Sequence, residues 1–177
     1  LSKLRFSARL LAADARRCAA ANDPHGAATR IAAISGLATH CANDRTMISS
    51  LVSCAIADLA CRETEYLLDK ANPPVTVHPI LLAGLDRLPT RDPFGFQSAF
   101  AGERYFLDWA ETRINASGGM AQLINICRQS DPAREQESAL NLLQRLNASG
   151  LRSAFTKARA YYSELAATWP LPPRQAE

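Results

Sequence analysis

At 177 residues, the chain is long enough for one ordinary domain with a substantial core. Its 47% hydrophobic and 21% charged residues exclude a largely disordered protein. The net charge of +3, from 20 basic and 17 acidic residues, is too balanced to indicate nucleic-acid binding by itself. Aromatic residues make up only 7%, while Ala and Leu are abundant, which favours packed helices over a β-sandwich.

Apolar spacing, together with residues typical of helix starts and ends, predicts seven or eight helices. In chain order we place them at about residues 2–21, 24–41, 45–68, 77–88, 93–114, 120–128, 132–147 and 151–168. Asp-Pro pairs at positions 23, 92 and 131 supply an N-cap followed by a proline at the first helical position. Gly150 is expected to end the seventh helix. Short connections predict antiparallel neighbours.

The helix at 45–68 is predicted to organise the core. One face carries the larger apolar residues and the other carries small ones, so both sides can pack against neighbours. The apolar face consists of Ile48, Leu51, Val52, Ala55 and Leu59. We expect Asp44 to cap this helix, and its three serines to bond the carbonyl four residues earlier. Asp58 and the serines exclude a membrane span.

The first helix carries a basic face formed by Arg5, Arg9 and Arg16, with Arg17 nearby. A stripe of this kind is most often a solvated surface. Its functional interpretation is a docking site for an acidic partner or for a phosphate backbone. Arg5, Arg9 and Arg16 are therefore candidate binding residues.

A second candidate site lies on the helix at 93–114, where Glu103 and Arg104 stand among most of the aromatic residues of the chain. In a small-molecule binder or an enzyme, a partly buried Glu103 would act as an acid or a base. The pocket would be lined by Phe96, Phe100, Tyr105 and Trp109. The structural alternative is an arginine that pairs with the carboxylate and ties this helix to a neighbour.

The cysteines and histidines predict neither a metal site nor a cofactor. The five cysteines contain no C-x-x-C, and the three histidines are not spaced as ligands on one helix face. No phosphate-binding loop, dinucleotide-binding glycine pattern or nucleophile elbow occurs. We expect free cysteines that pack as small core residues. Cys18 and Cys61, at similar heights on helices one and three, are the alternative disulfide.

The hairpin at 11–37 resembles a tetratricopeptide unit. Its large-small-large positions and its second-helix signature would be filled by Leu11, Ala15, Cys18, Ala27, Ile31 and Ile34. Residues 8–112 also resemble uncharacterised bacterial helical proteins that often carry an N-terminal membrane anchor. The shared order is a hairpin, an ISSLVSCAIADLA helix, a proline break, an L-x-x-L helix and an Asp-Pro helix with Gly102-Glu103-Arg104. This resemblance implies the helical fold and an anchor ahead of Leu1, but no activity and no site.

The sequence therefore predicts one all-α domain over residues 1–177, with a proline break at 71–76 between parts 1–71 and 77–177. Its antiparallel hairpins would stack as an α-solenoid-like, tetratricopeptide-like array or as an irregular bundle. The preferred function is a non-catalytic protein-interaction or scaffold module, with another protein as partner. The alternatives are a pocket around Glu103 and Arg104, and phosphate or nucleic-acid contact through the first helix. Membrane contact is expected only through a segment ahead of Leu1.

Overall fold

The computed structural model of the chain describes residues 1–116 and 148–168, and these residues form helices and no strands. In chain order the helices are α1 (Ser2–Ala20), α2 (Pro24–Ala42), α3 (Met47–Ala71), α4 (His78–Leu85), α5 (Phe96–Asn115) and α6 (Ala148–Thr168), with a 3-10 turn at Val75–Val77. The predicted all-α class is confirmed. The helices predicted at 120–128 and 132–147, and Cys127, lie outside the described residues. Gly150 lies inside α6 and does not end a helix.

The chain divides into two compact units, Leu1–Ala99 and Phe100–Glu177. The boundary between them falls within α5, whereas the sequence placed its boundary at the proline break at 71–76.

The first unit is organised around α2. This helix packs against α1, α3 and α4, while α1 also packs against α3. Its buried residues are mostly small, and they are Ala27, Ala28, Ile31, Ile34, Ser35, Ala38, Cys41 and Ala42. Small side chains let three neighbours approach one backbone closely. The prediction that the helix at 45–68 organises the core is therefore wrong, because α2 holds that position.

Helix α3 turns its small-residue side inward. The buried residues of this helix are Ser49, Ser50, Val52, Ser53, Ile56, Ala57, Ala60, Glu63 and Leu67. Ile48 is 65% exposed and Leu51 is 58% exposed. The prediction that both sides of this helix pack is thus wrong for Ile48 and Leu51, whose side chains lie on the outer surface.

The serines of α3 do not make the predicted bonds to carbonyls four residues earlier. Ser53 Oγ donates to the carbonyl of Ala38 on α2 at 2.8 Å, so this hydroxyl joins two helices. Ser49 Oγ donates to the Asp44 carboxylate at 2.5 Å. The buried Ser50 hydroxyl has no partner among the described residues. The N-cap is Thr46, which accepts from the Ser49 N–H, rather than the predicted Asp44.

The Asp-Pro pairs act differently at their two described positions. Asp23 caps α2 as predicted, because its carboxylate accepts from the Gly26 N–H at 2.8 Å and Pro24 begins the helix. Asp92 accepts from the N–H groups of Phe96 and Gln97 at 2.8 and 2.9 Å. Helix α5 therefore begins at Phe96, three residues later than predicted.

Two glycines allow close backbone approaches to α2. A Cβ on Gly84 of α4 would lie 2.9 Å from Ala32 Cα, so only glycine lets α4 lie at this distance. Gly95 has a φ of +74°, and a Cβ there would overlap the Ala42 carbonyl oxygen. These contacts fix how the chain leaves α4 and enters α5.

Cys18, Cys41, Cys54 and Cys61 are free thiols. Cys18 is buried on α1, whereas Cys61 is exposed on α3, so the alternative disulfide between them is not formed. Burial raises the pKa values of the Cys41 and Cys54 thiols. The thiols of Cys18 and Cys41 thus serve as small core groups, as expected for free cysteines.

Candidate interaction surface on helices α1 and α3

A groove runs between α1 and α3, and we call it the α1–α3 groove. It is lined by Arg5, Ala8, Arg9, Ala55, Ile56, Asp58, Leu59 and Arg62, with a volume of about 170 Å³. Both helices run in the same direction. The beginning of α1 faces the middle of α3 at the groove, and Arg16, later in α1, contacts Glu63, later in α3. The groove therefore follows the two helix axes.

The floor of the α1–α3 groove is apolar and its wall is basic. Ala8 and Ile56 are buried beneath it as part of the core. Arg5 and Arg9 stand on α1, four residues apart and exposed. Neither side chain makes a hydrogen bond or an ion pair with any described residue. Two guanidinium groups therefore face solvent on one side of the groove.

The opposite wall is already neutralised. Arg62 pairs with Asp58 at 2.7 Å, one turn apart on α3. Because both side chains are largely exposed, this pair contributes little to stability. Arg5 and Arg9 are thus the positive charges that the groove leaves uncompensated.

Arg16, the third predicted binding residue, has a structural role. Its guanidinium donates to both carboxylate oxygens of Glu63, at 2.7 and 2.8 Å, and lies 5.0 Å from the centre of the Tyr66 ring. Glu63 is only 3% exposed. The hydrogen bonds to this carboxylate raise the pKa of Arg16 above its usual range. The contact ties α1 to α3 and removes Arg16 from the open basic face.

The Arg17 side chain also forms an ion pair within the first unit. It pairs with Asp14 at 2.8 Å, and Arg30 of α2 reaches the same carboxylate at 2.9 Å. The hydrogen bond from Arg30 and, to a smaller extent, the one from Arg17 lower the pKa of Asp14. The basic face predicted for the first helix is therefore reduced to Arg5 and Arg9.

An apolar stripe continues from the groove along the outer side of α3. Ile48 and Leu51 are seven and four residues before Ala55, so all three lie on one side of the helix. Ala55 is also exposed, and Leu59 is half-buried at the groove. We call the α1–α3 groove together with Ile48 and Leu51 the α1–α3 face.

The second predicted site is spread over different sides of α5. Phe96 and Phe100 are buried, whereas Arg104 is exposed and Tyr105 is 74% exposed. Glu103 is half-buried, and its charge adds to the burial that raises the pKa of Tyr162 on α6.

The ion pair that ties α5 to another helix lies one to two turns beyond Glu103. Arg159 of α6 donates to Asp108 at 2.7 Å and also pairs with Glu111. On the same helix, Trp109 stacks on Phe106, with 5.6 Å between ring centres. Arg159 thus ties α6 to α5 through Asp108 and Glu111, which the sequence did not indicate as candidate site residues.

Two wider hollows open elsewhere on the first unit. One, of about 500 Å³, lies between α2 and α4 and is lined by Thr29, Ala32, Ala33, Pro79, Ile80, Ala83, Gly84 and Arg87. Another, of about 360 Å³, is lined by Leu1, Leu4, His40, Cys41, Asn43 and Asp44. Neither is lined by Arg5, Arg9 or any residue of α3.

Comparison with known proteins finds no matching family model, no matching curated protein and no matching solved structure. Within residues 1–116 and 148–168, no three His, Cys, Asp or Glu side chains cluster closely enough to hold a metal ion. None of the described helices has both the length and the apolar character needed to cross a bilayer.

Proposed function

We propose that this protein is a non-catalytic interaction module whose partner protein docks on the α1–α3 face. One observation carries the proposal: α3 buries its three serines with Ala57 and Ala60, while Ile48 and Leu51 remain on the surface, next to a groove with two uncompensated arginines. Single exposed leucines are common on proteins. A spaced apolar stripe beside uncompensated charge is typical of a protein interface.

The packing of the first unit supports a stacked-hairpin architecture of the tetratricopeptide type. Helices α1 and α3 pack side by side, and α2 and α4 pack side by side behind them. Stacked hairpins give this arrangement of two layers, and their first helices line the surface that receives a partner. In this proposal α1 and α3 are those first helices.

The size of the groove favours side chains of a partner over a small molecule. Its volume of about 170 Å³ is below the roughly 300–1,000 Å³ of typical small-molecule pockets. A few partner side chains fit such a volume, while the rest of the partner would lie on Ile48 and Leu51. A protein interface distributes its contacts in this way, with anchors in shallow pockets.

A photo-crosslinking experiment with an internal control tests the proposal. A photoreactive phenylalanine derivative replaces Leu51 in one variant and Leu82 of α4 in another, in the full chain expressed in its native cells. The two leucines are matched, because they are 58% and 57% exposed. We expect one defined adduct from position 51 that position 82 does not give. An absent adduct at 51, or identical adducts at both positions, would refute docking on the α1–α3 face.

A further inference from the structure

We infer that the segment docked on the α1–α3 face is an acidic amphipathic helix of another protein, an inference that rests on the proposed function above. Its acidic residues would pair with Arg5 and Arg9. Its apolar residues would cover the stripe formed by Ile48, Leu51, Ala55 and Leu59. The arguments come from charge, from spacing and from the length of the stripe.

The charge argument starts from the arginines that are already paired. Arg16, Arg17 and Arg30 all bind carboxylates within the first unit. Arg5 and Arg9 bind none among the described residues, although they line an apolar groove. A partner that brings carboxylates to this wall would gain charge-assisted hydrogen bonds, whereas a basic partner would be repelled.

The spacing argument concerns the helical form of the partner. Arg5 and Arg9 are one helical turn apart, about 6 Å along the axis. Two acidic residues at i and i+4 on a partner helix have the same separation. The stripe from Ile48 to Leu59 extends for about 16 Å, or three turns. This length suits anchors at i, i+3 or i+4, and i+7, the pattern of a helix bound in a groove.

The same features disfavour a nucleic acid. Backbone phosphates need a continuous array of basic groups, and single strands add aromatic stacking platforms. On the α1–α3 face, two arginines are the basic groups without a described partner. The stripe beside them on α3 is aliphatic. Aliphatic side chains gain nothing from phosphates, so an apolar, acidic protein segment is the better match.

A charge-swap selection tests this inference. A display library of helix-forming peptides, randomised at the surface positions, is selected on the full chain and on the double variant Arg5→Glu/Arg9→Glu. Arg87→Glu/Arg91→Glu, which makes the same charge change at two exposed arginines away from the groove, serves as the control. Leu51→Asp tests the apolar half of the surface. Far-UV circular dichroism confirms that all variants keep their helical content.

We expect the unmodified chain and the control variant to enrich peptides with Asp or Glu at i and i+4 beside a leucine-rich face. The Arg5→Glu/Arg9→Glu variant should bind these peptides about 5- to 30-fold more weakly, and should instead enrich Lys or Arg at the same positions. Leu51→Asp should weaken binding by every peptide.

Four results would overturn the inference. If Leu51→Asp abolishes binding but the charge swap changes no preference, the face binds proteins and the acidic partner is wrong. If neither variant changes binding, both the inference and the proposed function fail. If a random-sequence oligonucleotide displaces the peptides, or if the chain is a dimer that Leu51→Asp dissociates, a nucleic acid or a second copy occupies the face instead.

Discussion

Removing the guanidinium of Arg16 should destabilise the first unit far more than removing the carboxylate of Glu63, although both changes break the same ion pair. The two side chains differ in burial: Arg16 is 55% exposed and Glu63 is 3% exposed. Arg16→Met leaves a carboxylate without its partner in a buried position. Glu63→Met leaves a guanidinium that can turn into water.

The magnitudes follow from that asymmetry. A buried charge deprived of its hydrogen bonds costs about 2–3 kcal/mol, and losing the contact with Tyr66 adds about 0.5 kcal/mol. Arg16→Met should therefore cost about 3 kcal/mol, and Glu63→Met about 1 kcal/mol, since Arg16 can recover its hydration. In a chain of this size, these values correspond to decreases in Tm of about 6–12 °C and about 2–4 °C.

The double variant Arg16→Met/Glu63→Met completes the test. With both charges removed and apolar groups of similar length in their place, the cost should fall to about 1 kcal/mol, well below that of Arg16→Met alone. Thermal melts and urea titrations followed by far-UV circular dichroism measure all three variants. Arg17→Met, which removes an arginine from the exposed pair with Asp14, should leave the Tm within about 1 °C.

Two results would refute the reasoning. Equal costs for the two single variants would show that Glu63 is not more buried than Arg16 in solution. A double variant whose cost equals the sum of the single costs would show that the two side chains are not coupled.

Two further predictions use pairs of equivalent residues. Gly84→Ala should cost about 1–3 kcal/mol of stability, because its Cβ would overlap Ala32. Gly36→Ala meets only the flexible end of the Arg87 side chain, so it should be neutral or should stabilise by up to about 1 kcal/mol. Ser53→Ala loses an interhelical hydrogen bond and should cost about 1 kcal/mol, whereas Ser50→Ala removes a buried hydroxyl without a described partner and should not destabilise. Urea titration measures each pair, and equal effects within a pair would contradict the structural explanation.

The sequence predicted best the features that depend on neighbours along the chain. The bounds of α1 and α2 and the cap at Asp23 follow from spacing and from capping chemistry. Asp44 and Thr46 are both of the residue types that cap helices, and in the structure Thr46 occupies the N-cap position. At Asp92, the positive φ of Gly95 delayed the helix, an effect that the Asp-Pro pair alone does not encode.

The features that the sequence did not predict depend on distant residues. The Ser53 hydroxyl bonds a carbonyl 15 positions away, and Glu63 pairs with Arg16 across 47 positions. Hydrophobic periodicity measures how apolar a face is, but not how closely another helix can approach it. For this reason periodicity predicts that the apolar face of α3 packs, whereas Ile48 and Leu51 lie on the surface.

The orientation of α3 connects the packing of the first unit to its proposed function. A helix that placed Ile48 and Leu51 against α2 would bury more apolar area, but it would expose Ser53 and break its bond to Ala38. It would also carry Glu63 away from Arg16, because Glu63 lies with Ser53 on the side of α3 that is buried in the structure. The serine bond and the ion pair therefore set the rotation of α3, and that rotation leaves an apolar stripe beside Arg5 and Arg9. The proposed interaction surface is thus a consequence of polar contacts in the core.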